Sequence, residues 1–228
     1  MSRIYLDQTI EKLKNETLGV GQMVAEAATL AVKALLENDR DLAESVYRND
    51  QKINQRRFSI ESDCLMTIAT QQPLATDLRV LASILEIITE LERMGDYAKG
   101  IAKINLLIEP KSTKPSAISH LEEMTEIAVG MLNRALQAFM EEDIETARSL
   151  PAEDDAVDEL FNRIYQGLVK AMIEDNQMVA LANQLQWAAH HIERMADRVV
   201  NICERTIFVV SGVMNELEES DDEWMVKP

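Results

Sequence analysis

Apolar residues recur along this chain with the period of helices buried on one face. Ile84, Ile87, Ile88, Leu91, Met94, Ala98 and Ile101 form one stripe; Leu185, Ala188, Ala189, Ile192, Met195, Val199 and Ile202 form another. Six helical segments are predicted, at roughly 3–37, 40–70, 74–108, 117–141, 143–174 and 177–213. Asn38-Asp39 and Gln72-Pro73 separate the first three, with Pro73 suited to an N-terminal turn. Pro151 interrupts the fifth segment, whose ordered helix is expected to begin only there. Glu109-Pro110-Lys111-Ser112-Thr113-Lys114-Pro115-Ser116 reads as a linker near mid-chain.

The halves on either side of that linker align. Leu35-Leu36-Glu37-Asn38-Asp39 matches Phe139-Met140-Glu141-Glu142-Asp143 at an offset of 104, which also pairs Ala43 with Ala147, Ser45 with Ser149 and Asp50 with Asp154. Glu92-Arg93-Met94-Gly95-Asp96 returns as Glu193-Arg194-Met195-Ala196-Asp197 at an offset of 101. The chain therefore reads as an all-α tandem repeat, 1–109 and 117–213, followed by an acidic tail at 214–228. Six of the eight residues from Glu216 to Glu223 are acidic, and no chemistry is assigned to them.

Composition sharpens this picture in a few places. Seven Gly, five Pro and 4% aromatics leave a stock of good helix formers. A net charge of −17 disfavours binding to nucleic-acid backbones or to anionic lipid, and suits divalent cations or basic protein surfaces. The N-terminal residues carry no apolar signal-like core, and the longest charge-free stretch, 176–192, is too polar to span a membrane. Cys64 and Cys203 are too few for a disulfide framework. A soluble cytoplasmic protein is expected.

The candidate chemistry is carboxylate. Glu92/Asp96 and Glu193/Asp197 each put two acids on one helix face, about 100° round from the apolar stripe and so on a rim. The second helix of each half adds a polar pair, Asp50/Asn54 and Asp154/Asp158. If the helices of a half bring these together, charges ~4 Å apart repel by ~4 kcal/mol at intermediate dielectric. Such a cluster must take up protons, gather Lys or Arg, or bind cations. Lys99 offers a salt bridge beside the first copy, where the second has Val200. His190 shares a face with Glu193 and is a candidate ligand or proton-sharing partner, whereas His191 points elsewhere and is expected to pack. Oxygen ligands suit Mg²⁺, Ca²⁺ or Mn²⁺, and a histidine shifts the balance toward Fe or Zn.

The bland alternative is a helical scaffold with solvated charged faces and no metal. A carboxylate-bridged oxidase or ferroxidase is a further alternative, disfavoured because no Glu-x-x-His accompanies the motifs. Nucleophile triads, phosphate-binding glycine loops and Cys-x-x-Cys pairs are missing, so the chain is not expected to be an enzyme.

Taken with Pro73-Leu74-Ala75-Thr76-Asp77-Leu78-Arg79, the doubled Glu-Arg-Met motif resembles the PhoU family over about residues 3 to 213. The resemblance implies two side-by-side three-helix bundles related by pseudo-twofold symmetry, working as a cytoplasmic, non-enzymatic negative regulator of phosphate uptake and phosphate-starvation signalling. It implies partners, a phosphate ABC transporter and a PAS-type sensor histidine kinase, with membrane attachment only through them, and a homodimer. It also implies metal, Fe, Zn, Mn or Mg, on Asp50, Glu92, Asp96, Asp154, Asp158, Glu193 and Asp197. Two positions depart from the family pattern. Asn54 replaces an expected acid in the first cluster, and Ala196 stands where Gly is usual. The second-half site is therefore expected to be the stronger.

Overall fold

The computed structural model describes residues 3–110, 112–214, 216 and 217, and these are all-helical. Helices α1 (Arg3–Glu37), α2 (Arg40–Gln71) and α3 (Thr76–Leu107) form the first half. Helices α4 (His120–Glu141), α5 (Ile144–Ser149), α6 (Asp154–Glu174) and α7 (Val179–Ser211) form the second.

The duplication extends to the turns. Asn38 and Glu142 both take the left-handed backbone, each with φ of 57°, at the ends of α1 and α4. The next residue caps the following helix in both halves: Asp39 accepts from the Leu42 amide, and Asp143 from Glu145 and Thr146. Pro73 lies in a four-residue turn bounded by left-handed Gln72 and Ala75, so α3 begins at Thr76, two residues later than the sequence suggests. Pro151 also has a milder effect than expected. It sits in a 3₁₀ turn, Leu150–Glu153, between α5 and α6, so helix lies on both sides of it. Register survives this break: Ala43, Val46, Ile53 and Ile60 are buried, and so are Ala147, Leu150, Val157 and Ile164.

Each half is a helical bundle, α1–α2–α3 and α4–α6–α7, and the two halves meet like with like. Helix α1 packs on its counterpart α4, and α3 on its counterpart α7. This is the contact pattern of a twofold axis running between them. Close approach is built in where Gly21 lies under Leu136, since a Cβ there would meet Leu136 Cδ1 at 2.1 Å. Lys14 ties the halves at the C-terminus of α4, where the backbone carbonyls favour a cation, donating to the Met140 carbonyl at 2.9 Å. Lys114, in the linker, donates to the Asn38 side chain at the end of α1.

Helix α1 is long and apolar enough to cross a membrane, although Glu26 and Lys33 interrupt its charge-free stretches. Half of its most apolar window is buried within the bundles, where Val20, Val24, Ala28 and Leu35 join the core. At the other end of the chain, Leu217 donates its amide to Glu204 at 2.8 Å. Residues 218–223 of the acidic tail lie outside the described residues.

Candidate functional site

In both halves, packing of the third helix against the second draws the predicted carboxylates together. In the second half Asp197, Asp158 and Asp154 all act on Glu193. Burial, joined by those three charges, pushes the Glu193 carboxyl up to about 7. Glu193 Oε2 is buried without a hydrogen-bond partner, although His190 Nδ1 lies 2.8 Å away out of hydrogen-bond alignment. His190 is held below the ordinary histidine range by burial and by Arg194. The rings of Trp187 and Phe161 stand 5.7 and 6.1 Å from it.

The first half assembles differently. Asp50 is buried at 6% exposure, whereas Glu92 is half-buried and Asp96 exposed, as the rim placement of that pair implies. Asp50 Oδ2 accepts from Lys99 Nζ at 2.7 Å and from the Asn54 amide at 3.2 Å. The same ammonium is 3.6 Å from Asp96 Oδ1. Burial, then Asp96, raises Glu92, and Arg57 opposes that shift. Both cations are peculiar to this half: at the repeat offsets, Lys99 corresponds to Val200 and Arg57 to Phe161.

Among the described residues, no group of three or more His, Cys, Asp or Glu is placed so that it could hold a metal ion. The chemistry of the donors still separates the halves. The second offers a buried Glu193 oxygen without a hydrogen bond and the His190 imidazole beside it, donor types that a cation takes. In the first, ammonium and amide donors already occupy Asp50.

Sequence reasoning missed the polar seam between α3 and α7. Glu90, buried at 7%, accepts from Arg93, Arg198 and Asn201. Tyr97 stacks on His191 at 5.7 Å and lies under the Arg194 guanidinium. His191 does pack, as expected: its Nε2 lies where a Cβ on Gly100 would come within 2.6 Å, and burial pushes it down to about 4. The available signal was Glu90 itself, an acid close beside the apolar stripe of α3.

The doubled bundle, with its acid pairs on second and third helices, has known counterparts. A PhoU domain model matches residues 17–104 and again 121–206. The chain belongs to the PhoU family. It is 32% identical over 215 residues to a phosphate-specific transport system accessory protein PhoU homolog of Streptococcus pneumoniae, covering 94% of this chain and 99% of that one. It is 33% identical to the PhoU accessory protein of Escherichia coli K12, covering 89% and 84% of the two chains. The crystal structure of the phosphate transport system regulatory protein PhoU from Streptococcus pneumoniae superposes with a TM-score of 0.85 at 31% identity, over 93% of this chain and 100% of that one. PhoU proteins are accessory and regulatory proteins, and this chain is not an enzyme.

Proposed function

We propose that this PhoU protein is the cytoplasmic negative regulator of a phosphate-specific transport system, working as an adaptor between the phosphate ABC transporter and a PAS-type sensor histidine kinase. Family membership over both repeats supports the transporter side, since its relatives carry that role in their names. The site supports a metal-dependent adaptor. Asp154, Asp158, Glu193 and Asp197 gather where α6 meets α7, and a bound divalent or trivalent cation would relieve the repulsion that burial amplifies at Glu193. Neutralising them fixes α6 against α7, and with it the outer surface of the second bundle. Protein contacts alone bring the adaptor to the membrane, and it works as a homodimer.

The orphaned Glu193 oxygen is the observation that carries the metal reading. Elemental analysis of untagged protein, before and after chelator, tests it against Glu193→Ala/Asp197→Ala. Binding to transporter and kinase is measured on the same samples. Stoichiometric metal, lost together with partner binding in the variant, is expected. Metal loss with partner binding intact would separate the metal from the adaptor role.

A further inference from the structure

We infer that the first repeat carries its own cation. The Lys99 ammonium occupies the position that a metal ion would take between Asp50 and Asp96, and it makes the first cluster independent of metal. Three observations carry this. Lys99 Nζ bridges Asp50 Oδ2 at 2.7 Å and Asp96 Oδ1 at 3.6 Å, spanning the second and third helices as a bridging cation does. Asp50 is buried, so its charge requires a partner in place. Asn54 turns its amide donor to the same Asp50 oxygen at 3.2 Å, where an aspartate would add repulsion.

The sequence differences between the halves act together. Asn54 stands for Asp158, Lys99 for Val200 and Arg57 for Phe161. Three replacements each make the first cluster less negative, by removing an acid or supplying a cation. A single change would be drift within a charged surface; two replacements meeting on buried Asp50, with Arg57 acting on neighbouring Glu92, form a built alternative. Lys99 is well placed for the task. Its aliphatic stem lies on α3 one turn beyond Asp96, and its ammonium sits 5.7 Å from the centroid of Tyr47 on α2.

The inference rests on the metal reading of the second half only for contrast, so its test is made with that site removed. In the Glu193→Ala/Asp197→Ala background, metal content and thermal melting with chelator or with Mn²⁺ are compared for Lys99, Lys99→Arg and Lys99→Met. With Lys99 or Arg present, the protein is expected to carry no metal and to melt alike with chelator or Mn²⁺. Lys99→Met is expected to melt roughly 10 °C lower in chelator, as a buried carboxylate loses its partner. Mn²⁺ should recover part of that loss, and the recovered metal should disappear with Asp50→Asn. The double variant Asp50→Asn/Lys99→Met, which removes charge and partner together, should melt near the background protein, so misfolding of the single variant does not obscure the result. The inference is overturned if the background protein holds metal that Asp50→Asn removes. It is also overturned if Lys99→Met melts unchanged, or is destabilised without response to Mn²⁺. Absence of metal in the wild-type protein would instead sink the second-half reading and leave this comparison standing.

Discussion

Glu90 and His191 are the same position in two repeats, 101 residues apart, and each crosses to the helix of the other half. Glu90 on α3 meets Arg198 and Asn201 on α7, and His191 on α7 meets Tyr97 and Gly100 on α3. Those partners are themselves equivalent, Tyr97 with Arg198 and Gly100 with Asn201. One pseudo-symmetric crossing is thus solved twice, once with a charged network and once with stacked rings.

The charged solution is the more vulnerable. Glu90→Ala leaves the Arg198 guanidinium, whose Nε already lacks a partner, without its carboxylate. Denaturant unfolding should show a loss of roughly 2–4 kcal/mol, with Glu90→Gln retaining part of it through the remaining hydrogen bonds.

The stacked solution depends on space. Gly100→Ala gains about 1 kcal/mol of helix propensity but drives a Cβ into the His191 ring. The net outcome should be destabilisation of about 1–2 kcal/mol, and His191→Ala in the same chain should relieve it. A Gly100→Ala protein more stable than wild type would refute this packing.

His191 also sets an acid limit. Its folded pKa of about 4 lies below the ordinary 6.5, so the unfolded chain takes up the proton first. Its share of stability is complete above about pH 6.5 and is lost as pH falls through 4. Melting curves of His191→Leu should be flatter than wild type between pH 6.5 and 4, by roughly 1–2 kcal/mol after allowing for solvent screening.

Glu193 acts in the opposite direction. Its folded pKa, about 7, lies above the ordinary 4.5, so the metal-free protein gains stability as pH drops from 8 toward 4.5. With screening at a partly exposed group, that gain is roughly 1–2 kcal/mol. Glu193→Gln should abolish it and should be more stable than wild type at pH 8 in chelator. Bound cation should have the same effect in the wild-type protein, removing the pH response without mutation.

Arg79 joins the start of α3 to the end of α7, donating to the Val209 carbonyl at 3.1 Å and to Thr76 at 3.0 Å. Arg79→Ala should raise amide exchange in the last turn of α7 well before the core of the bundles. Arg79→Lys should not restore protection, because one ammonium cannot reproduce the guanidinium fork.

How much of this was legible in sequence follows from what each feature depends on. The stripes of α3 and α7 and the repeat offsets are periodic, so helices, halves and carboxylate pairs could be read directly. The αL turn at Asn38 and its Asp39 cap are local and were visible as a break. The depth of Asp50 was not, because it depends on how closely Ile53 and Asp50 of α2 approach Gly95 of α3. Nor was the Glu90–Arg198 network, which joins residues 108 apart across a contact no single-helix pattern encodes. Lys99 was visible as a neighbour of Asp96, but its stronger partner proved to be Asp50, on another helix.

The like-with-like packing of α1 on α4 and α3 on α7 is the interface of a symmetric dimer carried within one polypeptide. In a true homodimer every substitution appears on both sides, so a lysine placed in one cluster would fill both, and an acid at position 90 would face its own copy's context twice. Covalent joining lifts that restriction. The two sides can specialise, and they have: the second helix is tied to the third by the Lys99 bridge in one half, while in the other the same place holds a buried Glu193 oxygen without a hydrogen bond.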